Sequence, residues 1–242
     1  MNNKKFLIFN WKMNGDKKYA MQVKERLNNI DHDEREKINH NFQIILCPPI
    51  ILSNIFDFEN KIYSIGGQNC AFETSGSYTG EISAKMLQEI GVKYMILGHS
   101  ERRKYFHENE DMILKKMDKA FECSLIPIVC VYSFKEDKQY IANIINDFLN
   151  HKFSKDLIIA YEPEFSIGSG MSDSIDSIES NISQIKNIFK NRNIENKNIS
   201  VIYGGSVNDE NFSNIIKVCD GVLIGKVSLD LQALNNIIEK LA

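Results

Sequence analysis

Eight short apolar runs, rich in β-branched residues, recur along the 242-residue chain. Most are continuous and lack alternating polar residues, which is typical of strands covered on both faces in a parallel sheet. Between them lie segments with apolar residues at three- and four-residue spacing and charges on the opposite face, which predict helices. The runs occupy residues 6–11, 42–47, 62–67, 94–98, 126–131, 157–162, 199–204 and 221–225, and the helical segments occupy residues 17–30, 83–91, 109–121, 138–150, 174–191 and 231–242.

This alternation predicts an α/β protein, a closed (β/α)8 barrel that forms a single domain over residues 1–242. Barrels of this kind commonly have about 250 residues in one domain. An open, doubly wound sheet would have fewer strands and a glycine-rich nucleotide-binding turn after the first. The sequence contains no such turn. Because the active site of a (β/α)8 barrel lies where the strands end, the polar residues at those positions are the candidates for function.

Composition and charge narrow the possible partners. The formal net charge is −3 and no block of like charges stands out, so we expect neither nucleic acid nor an anionic membrane to bind. No apolar run approaches the roughly 18 residues that a membrane-spanning helix requires. The five cysteines form no C-x-x-C pair, as is usual for buried thiols in a reducing compartment. A soluble, cytoplasmic protein is therefore predicted.

Three strand ends carry residues suited to proton transfer and anion binding. Asn10 lies near the end of the first run and Lys12 follows it, His99 follows the fourth and Glu162 ends the sixth. Each has an ordinary alternative, because rim lysines and carboxylates are often only solvated and a lone histidine is more often structural. Together, however, a partly desolvated carboxylate can remove a proton next to a carbonyl. A neutral imidazole, favoured if "HSERR" begins a helix, can donate to the carbonyl oxygen while an ammonium stabilises the negative charge.

Glycines lie at the ends of the seventh and eighth runs, where Gly204 and Gly225 are the last residues and Gly205 follows Gly204. They can simply form tight turns. Glycine also lets backbone N–H groups approach a phosphate, and the loops after strands 7 and 8 are the recurrent phosphate site of this barrel. An anion site at these turns is therefore the second hypothesis for the same residues.

Six motifs, in order and spread over the whole chain, resemble those of the triosephosphate isomerase family. The resemblance implies an isomerase without metal or organic cofactor that interconverts dihydroxyacetone phosphate and D-glyceraldehyde 3-phosphate through an enediolate. It also implies a place in glycolysis, gluconeogenesis and the pentose phosphate shunt. The motifs are "FNWKMN" (9–14), "QNCAFETSGSYTGEIS" (68–83), "LGHSERR" (97–103), "AYEP" followed by "SIGSG" (160–170), "YGGSV" (203–207) and "DGVLIG" (220–225).

The resemblance assigns a role to each residue of the site. Glu162 is the base, His99 moves protons between the substrate oxygens, and Lys12 with Asn10 stabilises the phosphate and the enediolate. The segment 163–171 closes over the intermediate as a lid. The supporting residues are Ser100, Glu101 and Thr79. The phosphate-binding residues are Asn10, Lys12, Gly168, Gly204, Gly205, Ser206, Gly225 and Lys226.

The resemblance further implies a homodimer. By itself, the segment 68–83 is typical of an ordinary surface loop after the third strand, with Gly76 and Gly80 and little apolar periodicity. In the family it docks into a second subunit, where Thr79 would support Asn10 and Lys12 of that subunit. The dimer would then be the active unit.

Three segments depart from the family's usual pattern. Glu164 and Phe165 stand where a hydrophobic residue and Trp are typical, and Ser133 stands where a glutamate commonly pairs with that indole. Because both partners are lost together, no polar group is stranded, which predicts a differently latched lid with altered opening or closing rates on an active enzyme. Lys226 replaces the second of two glycines, and its Cβ would be strained if the turn required a positive φ.

Two other functions stay open. A Schiff-base aldolase on the same fold would need a lysine at a strand end deep in the barrel, and Lys12 is the candidate. A phosphosugar-binding protein that has lost catalysis would be expected to lack at least one of Lys12, His99 and Glu162. All three are present.

Overall fold

The computed structural model describes residues 4–132, 138–150, 156–163, 172–190 and 198–241. Its eight parallel strands follow one another in chain order and close into a barrel, because β1 pairs with both β2 and β8. The predicted (β/α)8 fold is confirmed, and all eight apolar runs form its strands. The strands are β1 (Lys5–Asn10), β2 (Phe42–Cys47), β3 (Tyr63–Gly67), β4 (Tyr94–Leu97), β5 (Ile126–Val131), β6 (Asp156–Tyr161), β7 (Asn198–Tyr203) and β8 (Gly221–Ile224).

All six predicted helical segments are confirmed, although the last helix ends at Glu239. None of the helices in the described ranges is both long enough and apolar enough to cross a membrane. The helices are α1 (Lys17–Asn28), α2 (His32–Asn41), α3 (Ile50–Ser53), α4 (Ala84–Glu89), α5 (Ser100–Phe106), α6 (Glu110–Glu122), α7 (Lys138–Asn150), α8 (Ile175–Lys190), α9 (Phe212–Val218) and α10 (Leu231–Glu239).

Two of the helices that the periodicity did not predict, α2 and α9, are weakly patterned. In α2 Ile38 is the one buried residue, so the sequence has no apolar stripe to detect. Its start nevertheless has a clear signal, because the Asp31 carboxylate accepts hydrogen bonds from the N–H groups of Asp33 and Glu34, as an N-cap does. The other helix, α9, is only seven residues long, which is too short for a period of 3.6 residues to stand out.

The apolar core has two layers, one on each side of the strands. Alternate residues of each strand point to opposite faces: Ile8 belongs to one buried cluster, while its neighbours Leu7 and Phe9 belong to the other. The cluster that contains Ile8 draws on alternate positions of seven strands and fills the barrel. The cluster that contains Leu7 and Phe9 packs the strands against the helices. Burial on both faces explains why the strands are continuous apolar runs.

The parallel arrangement brings all the strand ends to one mouth. Neighbouring strands end nearly level, since Asn10 pairs with Cys47 at the ends of β1 and β2 and Val131 pairs with Tyr161 at the ends of β5 and β6. Residues that follow different strands therefore lie close together. The elements from β1 to α10 belong to this barrel, and the assignment of residues 1–242 to a single domain stays a prediction.

Candidate active site

Three of the predicted catalytic side chains lie at this mouth: Lys12, His99 and Glu162. Nε2 of His99 is 3.4 Å from Oε1 of Glu162. On the other side of the ring, Nδ1 is 3.6 Å from Oε2 of Glu101, whose Oε1 is 2.8 Å from Nζ of Lys12. Lys12, Glu101, His99 and Glu162 thus form a continuous row that begins just after β1, passes the end of β4 and ends just after β6.

Glu162 directly follows β6, and only 1% of its side chain is exposed. Its Oε2 accepts a hydrogen bond from the Ser100 N–H at 3.3 Å, and its Oε1 accepts one from the Cys130 thiol at 3.3 Å. Burial, and secondarily the charge of Glu162, raise the pKa of Cys130 well above its usual range, so at neutral pH the thiol is protonated and can donate. Sequence reasoning missed this contact, because Cys130 lies in an apolar strand like any buried thiol.

His99 is the N-cap of α5, which confirms the predicted helix start. Its Nδ1 accepts a hydrogen bond from the Glu101 N–H at 3.2 Å, whereas the Glu101 carboxylate at 3.6 Å is too far away for one. A ring nitrogen that accepts carries no proton, so this contact requires the ring proton to be on Nε2. That proton faces Glu162.

Lys12 has a left-handed backbone conformation, with a φ of 55°, which costs about 1–2 kcal/mol for a residue with a side chain. Two neighbours hold it there. Its N–H donates to Oδ1 of Asn10 at 3.0 Å, and Nε2 of Gln68 donates to its carbonyl and to that of Cys47, both at 2.8 Å. Sequence reasoning placed Gln68 in the interface loop only. Nothing in the sequence links it to a residue 56 positions earlier.

Two of the predicted phosphate-site glycines make room for side chains that are predicted to be catalytic. A Cβ on Gly204 would lie 2.9 Å from Cγ of Glu162, and one on Gly225 would lie 3.3 Å from Cε of Lys12. The N–H of Gly204 already donates to the Tyr161 carbonyl at 2.8 Å. These glycines therefore have a steric reason that the sequence does not reveal, and their contact with phosphate stays a prediction.

The other predicted phosphate-binding residues differ in exposure. Gly205 is buried and Ser206 is half-buried just after β7. Lys226 is exposed and begins a short 3-10 turn, Lys226–Leu229. It is not among the described non-glycine residues with positive φ, so the strain expected at Lys226 does not occur. The remaining predicted residues of the lid and its latch, Ser133, Glu164, Phe165 and Gly168, lie outside the described residues.

Within the described ranges, no group of three or more His, Cys, Asp or Glu side chains is arranged to hold a metal ion. The row at the mouth instead consists of an ammonium, a carboxylate, an imidazole and a buried carboxylate. Such a row can move a proton between carbon and oxygen atoms of a bound molecule and can hold an anionic group at the lysine end.

Comparison with known proteins identifies the family of the chain. The family model for triosephosphate isomerase matches residues 5–241. A triosephosphate isomerase of Buchnera aphidicola is 36% identical over 253 residues, which cover 98% of each chain. One of Mycoplasma mobile is 36% identical over 98% of this chain and 99% of its own, and one of Ehrlichia chaffeensis is 35% identical over 96% and 95%. The chain belongs to the triosephosphate isomerase family.

Proposed function

We propose that this mouth of the barrel carries out the family's reaction, the interconversion of dihydroxyacetone phosphate and D-glyceraldehyde 3-phosphate in glycolysis. The observation that carries the proposal is the approach of His99 Nε2 to Glu162 Oε1 at 3.4 Å. These are the two groups that must act on adjacent atoms of one small substrate. We extend the proposal to gluconeogenesis, the pentose phosphate shunt and a cytoplasmic location.

Glu162 is the base. It removes a proton from the carbon beside the carbonyl, the electron pair of that C–H bond becomes the C=C bond of an enediolate, and the carbonyl electrons move to oxygen. Return of the proton to the neighbouring carbon gives the isomeric sugar phosphate. The reaction has no net oxidation and needs no external electron acceptor, which is why we propose no cofactor.

His99 moves protons between the two substrate oxygens. Its Nδ1 is engaged by the Glu101 N–H, so Nε2 is the atom left for the substrate. A neutral ring donates from Nε2 to the oxygen that becomes negative, and this stabilises the enediolate.

Lys12 supplies the positive charge for the phosphate and the enediolate. Its side chain is 26% exposed and its ammonium forms an ion pair with Glu101. A bound phosphate dianion would compete with the Glu101 carboxylate for this ammonium. The phosphate lies between Lys12 and the turns after β7 and β8. The proposed contacts are Asn10, Gly168, Gly204, Gly205, Ser206, Gly225 and Lys226, with Ser100 and Glu101 supporting the catalytic row.

Isomerisation in D2O tests the proposal. The parent enzyme should convert one triose phosphate into the other and place deuterium on the carbon that receives the proton, because the proton held by Glu162 exchanges with solvent in the enediolate state. Borohydride with substrate should leave Lys12 unmodified. Trapping of a lysine adduct would favour the Schiff-base aldolase, and binding of substrate without turnover would favour a phosphosugar-binding protein.

We also propose that the active unit is a homodimer formed through the segment 68–83. The loop is held in shape by its own hydrogen bonds, from Ala71 N–H to the Ile82 carbonyl at 2.8 Å and from Glu81 N–H to the Tyr78 carbonyl at 3.0 Å. Near its tip, Tyr78 and Thr79 are exposed. A second copy would cover these side chains and Met13, which follows Lys12 and is 95% exposed.

Met13→Arg should convert the dimer into monomers and lower activity. In a monomer, an exposed substitution changes stability by less than about 0.5 kcal/mol, whereas a charge buried against a second subunit opposes association. Light scattering with a parallel assay measures both effects. Met21→Arg on α1, where the side chain is 54% exposed, is the matched control and should stay dimeric. A parent that is monomeric and fully active would contradict the proposal.

Lys226→Gly should raise KM and leave kcat unchanged. The structure gives Lys226 no backbone strain to relieve, so the substitution removes only an exposed positive charge next to Gly225. The expected increase is about 2- to 5-fold, the range of one exposed ion pair. Lys226→Ala should match Lys226→Gly if charge is responsible. A lower KM for the glycine variant alone would instead indicate that the side chain obstructs the phosphate.

A further inference from the structure

Arg103 on α5 contacts two tyrosine rings. Its guanidinium carbon is 5.0 Å from the ring centroid of Tyr132 and 4.8 Å from that of Tyr140, which is within the range of a cation–π interaction with each ring. Nη2 of Arg103 is buried and has no hydrogen-bond acceptor among the described residues. The two rings therefore restrict the half-buried guanidinium and stabilise its charge.

The held guanidinium in turn fixes the backbone just before His99. Nε of Arg103 donates to the Gly98 carbonyl at 3.2 Å. Gly98 has a φ of 67° and no space for a side chain, since a Cβ there would lie 2.8 Å from Cδ1 of Ile113. The Arg103 hydrogen bond and the close packing against Ile113 thus constrain the peptide bond between Gly98 and His99. The orientation of this peptide bond sets the position from which the His99 side chain extends.

The tyrosines connect Arg103 to the neighbouring strand end. Tyr132 directly follows β5, two residues after Cys130, whose thiol donates to Glu162 Oε1. Tyr140 belongs to α7 and is 1% exposed. Arg103 therefore joins the end of β4, which carries His99, to the end of β5, which contacts Glu162.

We propose that Arg103, held by contacts with Tyr132 and Tyr140, is a positioning residue that sets the His99 ring against Glu162. The inference rests on the proposed isomerase function. It concerns residues outside the catalytic row, because Arg103 acts through the Gly98 carbonyl and not on the substrate. The planar guanidinium matters, since it contacts two rings while Nε donates to the Gly98 carbonyl, and a lysine ammonium cannot do both.

Arg103→Met should lower kcat by roughly 10- to 100-fold, the range expected when catalytic groups shift by about 1 Å. KM should stay within about 2-fold of the parent value. Arg103 does not contact Lys12 or the turns after β7 and β8, so the phosphate should still bind. Arg103→Lys should behave like Arg103→Met. Tyr132→Phe keeps the ring and should retain the parent kcat, whereas Tyr132→Leu should lower it.

Lys104→Met is the matched control, because Lys104 is on the same helix, exposed, and lies over the exposed ring of Tyr105. It should leave kcat and KM unchanged. Equal kcat for Arg103→Met and the parent, or equal loss in Tyr132→Phe and Tyr132→Leu, would overturn the inference. If Arg103→Met does not fold, the Tyr132 pair decides, since each of these variants keeps the guanidinium. An inactive parent would instead overturn the proposed function, and the inference with it.

Discussion

The Glu162→Gln variant is expected to bind triose phosphate about as well as the parent and to turn it over roughly 10²- to 10⁴-fold more slowly, the loss typical of a removed general base. The amide has the same size as the carboxylate and its oxygen can still accept from the Ser100 N–H, which lies 3.3 Å from Oε2. It cannot hold a proton taken from carbon. The defect should therefore appear in kcat and not in KM, as measured by a coupled assay in both directions.

Glu162→Asp separates loss of the base from loss of its position. The aspartate keeps a carboxylate but withdraws it by one methylene from His99 Nε2, so kcat should lie between those of the parent and Glu162→Gln. Both variants should keep the parent's thermal midpoint within a few degrees. A kcat for Glu162→Gln within 10-fold of the parent value would mean that another group removes the proton.

The fold could be predicted because burial on both faces of a parallel strand leaves a strong signal in the sequence. β2 and β5 are continuous apolar runs whose predicted bounds agree with the structure, and both take part in the inner and the outer layer of the core. The signal fails where an element contributes little to the core. α2 is mostly polar, and only its N-cap at Asp31 indicates a helix.

The site could be predicted in part, for a related reason. Strand order and parallel direction bring Lys12, His99 and Glu162 to one mouth, and both follow from the alternation of strands and helices. Contacts between residues of neighbouring strand ends do not follow from this alternation. The steric need for Gly204 beside Glu162 and the thiol of Cys130 on the same carboxylate depend on distances across neighbouring strands. A single sequence contains no information on such distances beyond the presence of the residues.

Glu108→Leu is expected to lower the free energy of unfolding by about 3–5 kcal/mol, the range for a buried ion pair that loses one partner. The Glu108 side chain is 1% exposed, and its Oε1 accepts from Arg102 Nε at 2.7 Å and from Lys116 Nζ at 2.5 Å. Lys116 is only 3% exposed, so its ammonium would stay buried with the amide oxygen of Asn69, 2.9 Å away, as its remaining partner. Arg102 is 27% exposed and can reach water. Denaturant unfolding at one fixed protomer concentration measures the change.

Three comparisons make this expectation specific to the buried charge. Glu122→Gln, which breaks the exposed pair with Lys119 on the same helix, should cost at most about 1 kcal/mol. The double variant Glu108→Leu with Lys116→Met should recover much of the loss, because no unpaired charge is left inside. If the double variant is as unstable as the sum of the single variants, shape and not charge is responsible. Since Lys116 also holds Asn69 in the proposed interface loop, the double variant should be well folded and yet dissociate more readily, which light scattering would detect.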